Sequence, residues 1–264
     1  MSSFMQSDIS DNKNKLSKTY TVRYSETGAN GRITCPNILN YFQDIATFHA
    51  GKLGISALDL IQKNFAWVIY KLNLRVYDYP AWDTDLHLTT WRYPDKKLYE
   101  LRSFEAKNEE GRILFSGKCA WVMIHLDTKK PVRLNRYLPE KLFTNPIKIN
   151  NDFTLIDPPE QLDITKNLKV CMHHLDFNRH VNNTIYLQWA IENVPLKIQA
   201  SFLPSDVDII FCGDAVLDDD LQCSSQYVDF APEPVFVHQI FHLQNNTELT
   251  RIKTQWKKFD YSPI

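Results

Sequence analysis

Asn178-Arg179-His180-Val181-Asn182-Asn183-Thr184-Ile185-Tyr186-Leu187-Gln188-Trp189 has an earlier counterpart in the same chain, Asn30-Gly31-Arg32-Ile33-Thr34-Cys35-Pro36-Asn37-Ile38-Leu39-Asn40-Tyr41, at a constant offset of 148 residues. In both, a polar loop runs into an apolar segment, and repetition at fixed spacing is the first signal to weigh in a fold assignment. After the first loop, Ile38, Leu39, Phe42, Ile45, Ala46 and Leu53 follow helical spacing, and Pro36 stands where the first turn of a helix accepts it. After the second, Ile185, Leu187, Trp189, Ile191 and Val194 are apolar on most sides, which points to a helix buried inside a fold. Asn182 or Asn183 is its expected N-cap and Pro195 its stop.

The repeat continues beyond the helices. Trp82-Asp83-Thr84-Asp85-Leu86 returns as Leu217-Asp218-Asp219-Asp220-Leu221, and Trp121 as Trp256, at an offset of 135. The second copy is therefore about thirteen residues shorter between its helix and its strands. Strand-like runs are predicted over 67–77, 86–91, 99–106 and 114–125, with turns at Tyr79-Pro80, Pro94-Asp95 and Glu110-Gly111. The second copy repeats them over 207–211, 221–229, 235–243 and 249–259. One buried helix with several long antiparallel strands per copy is an α+β arrangement. The expected division is a tail over 1–18, an N-terminal unit over 19–126, a Pro- and Asn-rich linker over 127–163 and a C-terminal unit over 164–264.

The two loops differ in chemistry. Where the second has Asp176, Asn178 and His180, the first has Gly28, Asn30 and Arg32. A loop that was polar only to begin a helix would serve equally in both copies, so the acid and the imidazole place chemistry in the second. Leu168 to His174 reads as the end of a strand, which projects Asp176, Asn178 and His180 from a strand-to-helix loop. A histidine held by a nearby carboxylate is a general base, and N–H groups at a helix N-terminus stabilise a developing oxyanion. His173 and His174, adjacent on that strand, would point to opposite faces and grip no metal together.

The run Asp176-x-Asn178-x-His180-Val181-Asn182-Asn183-x-x-Tyr186-Leu187-x-Trp189 resembles the active-site segment of the acyl-acyl-carrier-protein thioesterases, a family of plant plastid enzymes and bacterial relatives. Gly28-Ala29-Asn30-Gly31-Arg32, Leu39-Asn40-Tyr41-Phe42-Gln43-Asp44, His49-Ala50, Leu53-Gly54, Trp67-Val68, Tyr79-Pro80-x-Trp82, Thr90-Trp91 and Pro131-Val132-Arg133 resemble that family's first half. Together they span roughly residues 19 to 258. The resemblance implies a tandem double hotdog, in which two units in one chain make the pair that other hotdogs form by dimerising. It also implies hydrolysis of a fatty acyl thioester on acyl carrier protein, with no metal or other cofactor, and implicates Asp176, Asn178 and His180. The family's functional Glu, often followed by Cys on a strand after the second helix, has no direct match here. Asp208-Ile209-Ile210-Phe211-Cys212-Gly213-Asp214 offers either Asp214 as the carboxylate or Cys212 as a thiol beside His180. Water activated by His180, with Asp176 orienting the imidazole and Asn178 positioning water or carbonyl, is the direct proposal.

Composition bounds the alternatives. With 264 residues, 44% hydrophobic, 12% aromatic and 7 glycines, the chain has material for one large core or two small ones. No apolar run of about eighteen residues is present, so no membrane span is expected. The polar N-terminus has no apolar signal segment. Five cysteines, Cys35, Cys119, Cys171, Cys212 and Cys223, show no C-x-x-C spacing and fit a reducing cytoplasm better than a disulfide framework. A net charge of −1 argues against a nucleic-acid surface. Lys96, Lys97, Lys129, Lys130, Arg133, Arg136 and Lys141 form a local basic group that an acidic carrier protein would favour, although a plain solvated face with no partner is the simpler reading. No G-x-S-x-G elbow or Gly-rich phosphate loop occurs. Acyl-CoA hydrolysis on the same fold and a non-catalytic acyl-binding hotdog remain as alternatives, the latter supported by the absent Glu. Phe42, Phe48, Trp67 and Ile69 are candidates for lining an acyl tunnel, and ordinary core is the simpler reading of each. Either a monomer or a homodimer is compatible with two fused units.

Overall fold

The computed structural model describes residues 13–95, 97–229 and 232–260. Lys96 of the basic group and residues 1–12 of the expected tail lie outside them. Backbone contacts divide the chain into two units, one running to Asp152 and the other from Phe153 onward. Cys35–Asn37 and Lys71–Val76 cluster with the second.

In the first unit β1 (Lys15–Thr21) precedes the long helix α1 (Cys35–Lys52) and the short α2 (Ala57–Ile61). Four strands follow, β2 (Phe65–Val76), β3 (Asp85–Pro94), β4 (Tyr99–Lys107) and β5 (Ile113–His125), in the sheet order β1-β3-β4-β5-β2. Lys15–Lys18, expected in the tail, are paired with Leu88–Trp91 of β3. Alternating burial along β3 and β4 turns one face of the sheet toward α1. There Phe42 stacks on Phe104 with ring centroids 4.2 Å apart. Ile38, Leu39 and Ile45 are buried on the same helix. Of the proposed tunnel residues, Phe42 and Ile69 are core, Trp67 donates its Nε1–H to Ile55 O at 2.9 Å, and Phe48 is exposed between Lys18 and Lys52.

The stretch expected as a linker begins as part of this unit. It forms α3 (Leu134–Tyr137) and a 3-10 turn over Glu140–Phe143. Leu134, Leu138 and Leu142 are buried in a cluster with Ile55, Leu60, Phe65 and Met123. Prolines and asparagines hid an apolar period of four, which is the spacing that carries the docking. Arg92 and Glu100 are buried as a bidentate pair, with the second contact at 2.8 Å, and Arg92 also donates to Leu142 O at 3.1 Å.

In the second unit β6 (Ile164–Lys169) leads to α4 (Asn183–Glu192), followed by β7 (Leu203–Phe211), β8 (Asp220–Asp229), β9 (Val235–His242) and β10 (Thr247–Lys257). Their order is β7-β10-β9-β8-β6, all antiparallel, and Lys71–Arg75 pair with Asp206–Ile210 of β7. Tyr186, Leu187, Trp189 and Ala190 of α4 are buried, and α4 packs on β8, β9 and β10. Among the described residues no helix is long and apolar enough to cross a membrane.

Each core holds a neutral histidine. Arg102 can only donate, so the 2.9 Å contact between its Nη1 and His49 Nδ1 leaves His49 Nε2–H to donate to Lys13 O, also at 2.9 Å. In the second unit Asn193 Nδ2 donates to Ser225 Oγ at 2.7 Å, which makes Ser225 the donor to His238 Nδ1 at 2.7 Å. His238 Nε2–H then donates to Thr254 Oγ1 at 3.0 Å. Burial pushes both imidazoles down to about 3, with the Arg102 charge reinforcing it at His49.

Two outcomes follow from these cores. Leu142→Ala should cost about 2–5 kcal/mol in urea denaturation, as for any buried leucine, whereas a free linker would give no effect. For His238 the folded value lies below the unfolded one, so its contribution is complete above pH 6.5 and declines toward pH 3 at about 1.4 kcal/mol per pH unit. His238→Gln should flatten that acid slope in denaturation curves taken between pH 7 and pH 4.

Candidate active site

After β6 the chain makes a 3-10 turn over Met172–His174, where a strand end was expected. His174 Nδ1 accepts from Cys171 N–H at 3.0 Å, and its ring meets Trp189 edge-on at 5.1 Å. Its pKa is lowered, first by burial and then by His173. His174 therefore shapes the turn. Among the described residues no group of three or more His, Cys, Asp or Glu side chains is arranged to hold a metal ion.

The loop that follows is a tight hairpin tip. Asp176 N–H donates to His180 O at 2.8 Å and Arg179 N–H to Asp176 O at 3.0 Å, with Arg179 in the left-handed region at φ 64°. The Asp176 carboxylate closes the tip from inside. Its Oδ1 accepts from the N–H groups of Asn178 at 2.7 Å and His180 at 3.3 Å, and Oδ2 receives Asn178 Nδ2 at 3.5 Å. Asn182 then caps α4 by accepting from Thr184 N–H at 3.1 Å.

A second segment meets this loop immediately after β7. Val181 N–H donates to Ala215 O at 2.9 Å, and His180 forms an antiparallel bridge with Val216. That register sets Asp214 Oδ2 3.0 Å from His180 Nδ1. The carboxylate on the imidazole is thus Asp214, the residue offered for the missing Glu, while Asp176 serves the backbone of the loop. With Nδ1–H directed at Asp214, the free lone pair of the neutral ring is on Nε2, the tautomer a general base requires. The pair is open to water: the side chains are 43% and 66% exposed.

Cys212 does not join them. Its backbone N–H donates to Leu249 O at 2.8 Å, and its charged neighbours are Glu248 and Arg251. Burial, and then Glu248, raises its pKa, so it is a protonated thiol. Asp219 is a residue that the sequence reading passed over. Its Oδ2 accepts from Val216 N–H at 2.8 Å and its Oδ1 lies 3.3 Å from His242 Nε2, which ties down the segment carrying Asp214. The repeat held the signal, since the counterpart of Asp219 is Thr84.

The first unit builds the same frame without the imidazole–carboxylate pair. Gly28 N–H donates to Arg32 O at 2.8 Å, Gly31 N–H to Gly28 O at 2.9 Å, and Ile33 N–H to Pro80 O at 3.0 Å. Gly31 has φ 66°, and Arg32 bridges to Ala81. In place of the imidazole and carboxylate stand Arg32 and Tyr79, joined by Arg32 Nη1 to Tyr79 O at 3.0 Å.

Comparison with known proteins agrees over most of the chain. The model of the acyl-ACP thioesterase N-terminal domain matches residues 13–141, and that of the C-terminal domain residues 158–258. A chloroplastic palmitoyl-acyl carrier protein thioesterase of Gossypium hirsutum is 25% identical over 266 residues, 92% of this chain, which spans 63% of that relative's length. A chloroplastic oleoyl-acyl carrier protein thioesterase 2 of Arabidopsis thaliana is 25% identical over 90% of this chain and 76% of its own. Among solved structures, a 12:0-ACP thioesterase from Umbellularia californica superposes with TM-score 0.81 at 21% identity, over 93% of this chain and 94% of that one. An acyl-ACP thioesterase from Bacteroides thetaiotaomicron gives 0.79 at 19% identity, over 94% and 100%. At such identities the structural likeness speaks for the fold, which is the tandem double hotdog.

Because glycine already occupies the equivalent turn position in the first unit, Arg179→Gly should leave the melting temperature unchanged or higher. Arg179→Val, β-branched in a left-handed site, should lower stability by about 1–2 kcal/mol in thermal denaturation.

Proposed function

The chain belongs to the acyl-ACP thioesterase family, and from that premise we propose that it hydrolyses fatty acyl thioesters of acyl carrier protein at His180 and Asp214. The observation that carries this reading is the 3.0 Å contact between His180 Nδ1 and Asp214 Oδ2, present in one of two otherwise matching loops. Asp214 fixes the tautomer and stabilises the imidazolium that forms during turnover. His180 Nε2 takes a proton from water as the water oxygen attacks the thioester carbonyl. The tetrahedral oxyanion then collapses, the carbon–sulfur bond breaks, and the departing thiolate takes the proton back from His180. Free fatty acid and the carrier's pantetheine thiol are the products, with no redox change.

Asp176 keeps the loop closed around this chemistry. Asn178, with its Nδ2 toward Asp176, leaves its carbonyl oxygen to orient the attacking water. A protonated Cys212, with Glu248 and Arg251 as its charged neighbours and no contact to His180 among the described residues, is a poor nucleophile, which favours activated water over an acyl-enzyme.

Thiol release from acyl-ACPs of graded chain length, run beside the matching acyl-CoAs, tests the reading. Faster release from the carrier-bound series is expected. His180→Ala should lower turnover by roughly two to four orders of magnitude and Asp214→Asn by about a hundredfold. Cys212→Ser should leave turnover near the wild-type value; its loss would restore the thiol route. Absence of any cleavage by the wild type, with acyl ligands still bound, would identify a binding protein instead.

A further inference from the structure

Beneath the Asp214 end of the pair lies a hydroxyl that the reaction as written does not use. Tyr186, on α4, is 1% exposed, and its hydroxyl proton has no acceptor among the described residues, the oxygen itself lying near Ala215 N–H. In the first unit the equivalent position is Ile38, fully buried. The frame therefore asks only for an apolar side chain here, and the chemical copy supplies a phenol. A buried hydroxyl left unpaired costs about 1–3 kcal/mol relative to an apolar group of the same shape, so phenylalanine would be the more stable occupant of a purely structural site.

The surroundings show what the hydroxyl can serve. The ring is pinned edge-on by Trp189 at 5.6 Å and by Phe211 at 6.3 Å. Its oxygen lies against the Ala215 backbone, with Asp214, Asp219 and Asp176 as charged neighbours. Two of these carboxylates are already committed. Asp219 holds Val216 N–H and His242, and Asp176 holds the backbone of its own loop. Among the described residues Asp214 has one ion-pair or hydrogen-bond contact, Oδ2 to His180 Nδ1, which leaves Oδ1 to take a further donor. Burial and the neighbouring carboxylates push the phenol well above its usual range, so it keeps its proton as a donor.

We propose that Tyr186 is a positioning residue for the hydrolysis: its hydroxyl donates to Asp214 Oδ1 after a rotation of that carboxyl, and so fixes the carboxylate that fixes His180. The inference rests on the function proposed above. A solvent-open ion pair is loosely held, because water competes for each of its contacts. A second, buried anchor removes that freedom when substrate covers the site, at the point where imidazolium develops.

The test is Tyr186→Phe in the full chain, assayed for acyl-ACP hydrolysis beside wild type and followed by thermal denaturation. The expected result is a kcat lowered about tenfold, an unchanged KM, and a melting temperature equal to or above wild type. Wild-type kcat and KM in the variant would overturn the positioning role, and so would a loss of activity accompanied by a loss of melting temperature, which marks a packing defect. If wild type itself cleaves no thioester, the functional reading falls and takes this role with it. Active wild type with an equally active variant removes Tyr186 alone.

Discussion

A single backbone contact, Val181 N–H to Ala215 O at 2.9 Å, brings together the histidine and the carboxylate of the proposed site. It joins a loop before α4 to a segment after β7 that the sequence separates by α4, a short helix over Leu196–Gln199 and β7. Once it forms, residue 180 faces the 214–216 segment, and a histidine and a carboxylate at the right positions have to meet. The first unit makes the same bond between Ile33 and Pro80 and gains from it a guanidinium against a backbone carbonyl. The contact is therefore architectural, and the proposed reaction depends on which side chains the frame is given.

That separation of frame from chemistry explains the division of labour among the acidic residues. Asp176 is four residues from His180 in sequence and yet spends both oxygens on local N–H and amide groups, as short acidic side chains in tight turns do. Asp219 fixes the opposing segment by the N–H of Val216. Asp214, held by neither turn, is the carboxylate with an oxygen to give to the imidazole. Gly213 just before it has room for no side chain without moving Leu249, since an added Cβ would come within 3.2 Å of Leu249 Cδ2. The approach of the chain to the site is thus set by its packing on β10.

Stability is arranged differently in the two cores. Each has a histidine kept neutral at full burial, but the first surrounds it with Arg102, Arg92 and Glu100 and the second with Ser225, Thr254 and Asn193. Fully satisfied polar layers of this kind specify one packing of helix against sheet, because any other leaves a buried donor unpaired. Both buried histidines also make the units lose stability toward acid pH.

Much of this was legible in the sequence. The two offsets, 148 and 135, identify equivalent residues throughout, and the eight strands predicted from alternation all appear with ends shifted by a few residues. Local pattern sufficed there because burial on one face imposes a period of two on a strand and of about 3.6 on a helix. It failed at Lys15–Lys18, whose pairing partner is in distant β3, and over 134–143, where Pro and Asn masked three docking leucines. The motif fixed which loop carries Asp176, Asn178 and His180. Only the tertiary structure decided between Asp214 and Cys212, and between Asp176 and Asp214 as the partner of the imidazole, because those pairings follow from the register of two segments across a bridge, and register between distant segments is not written in either one.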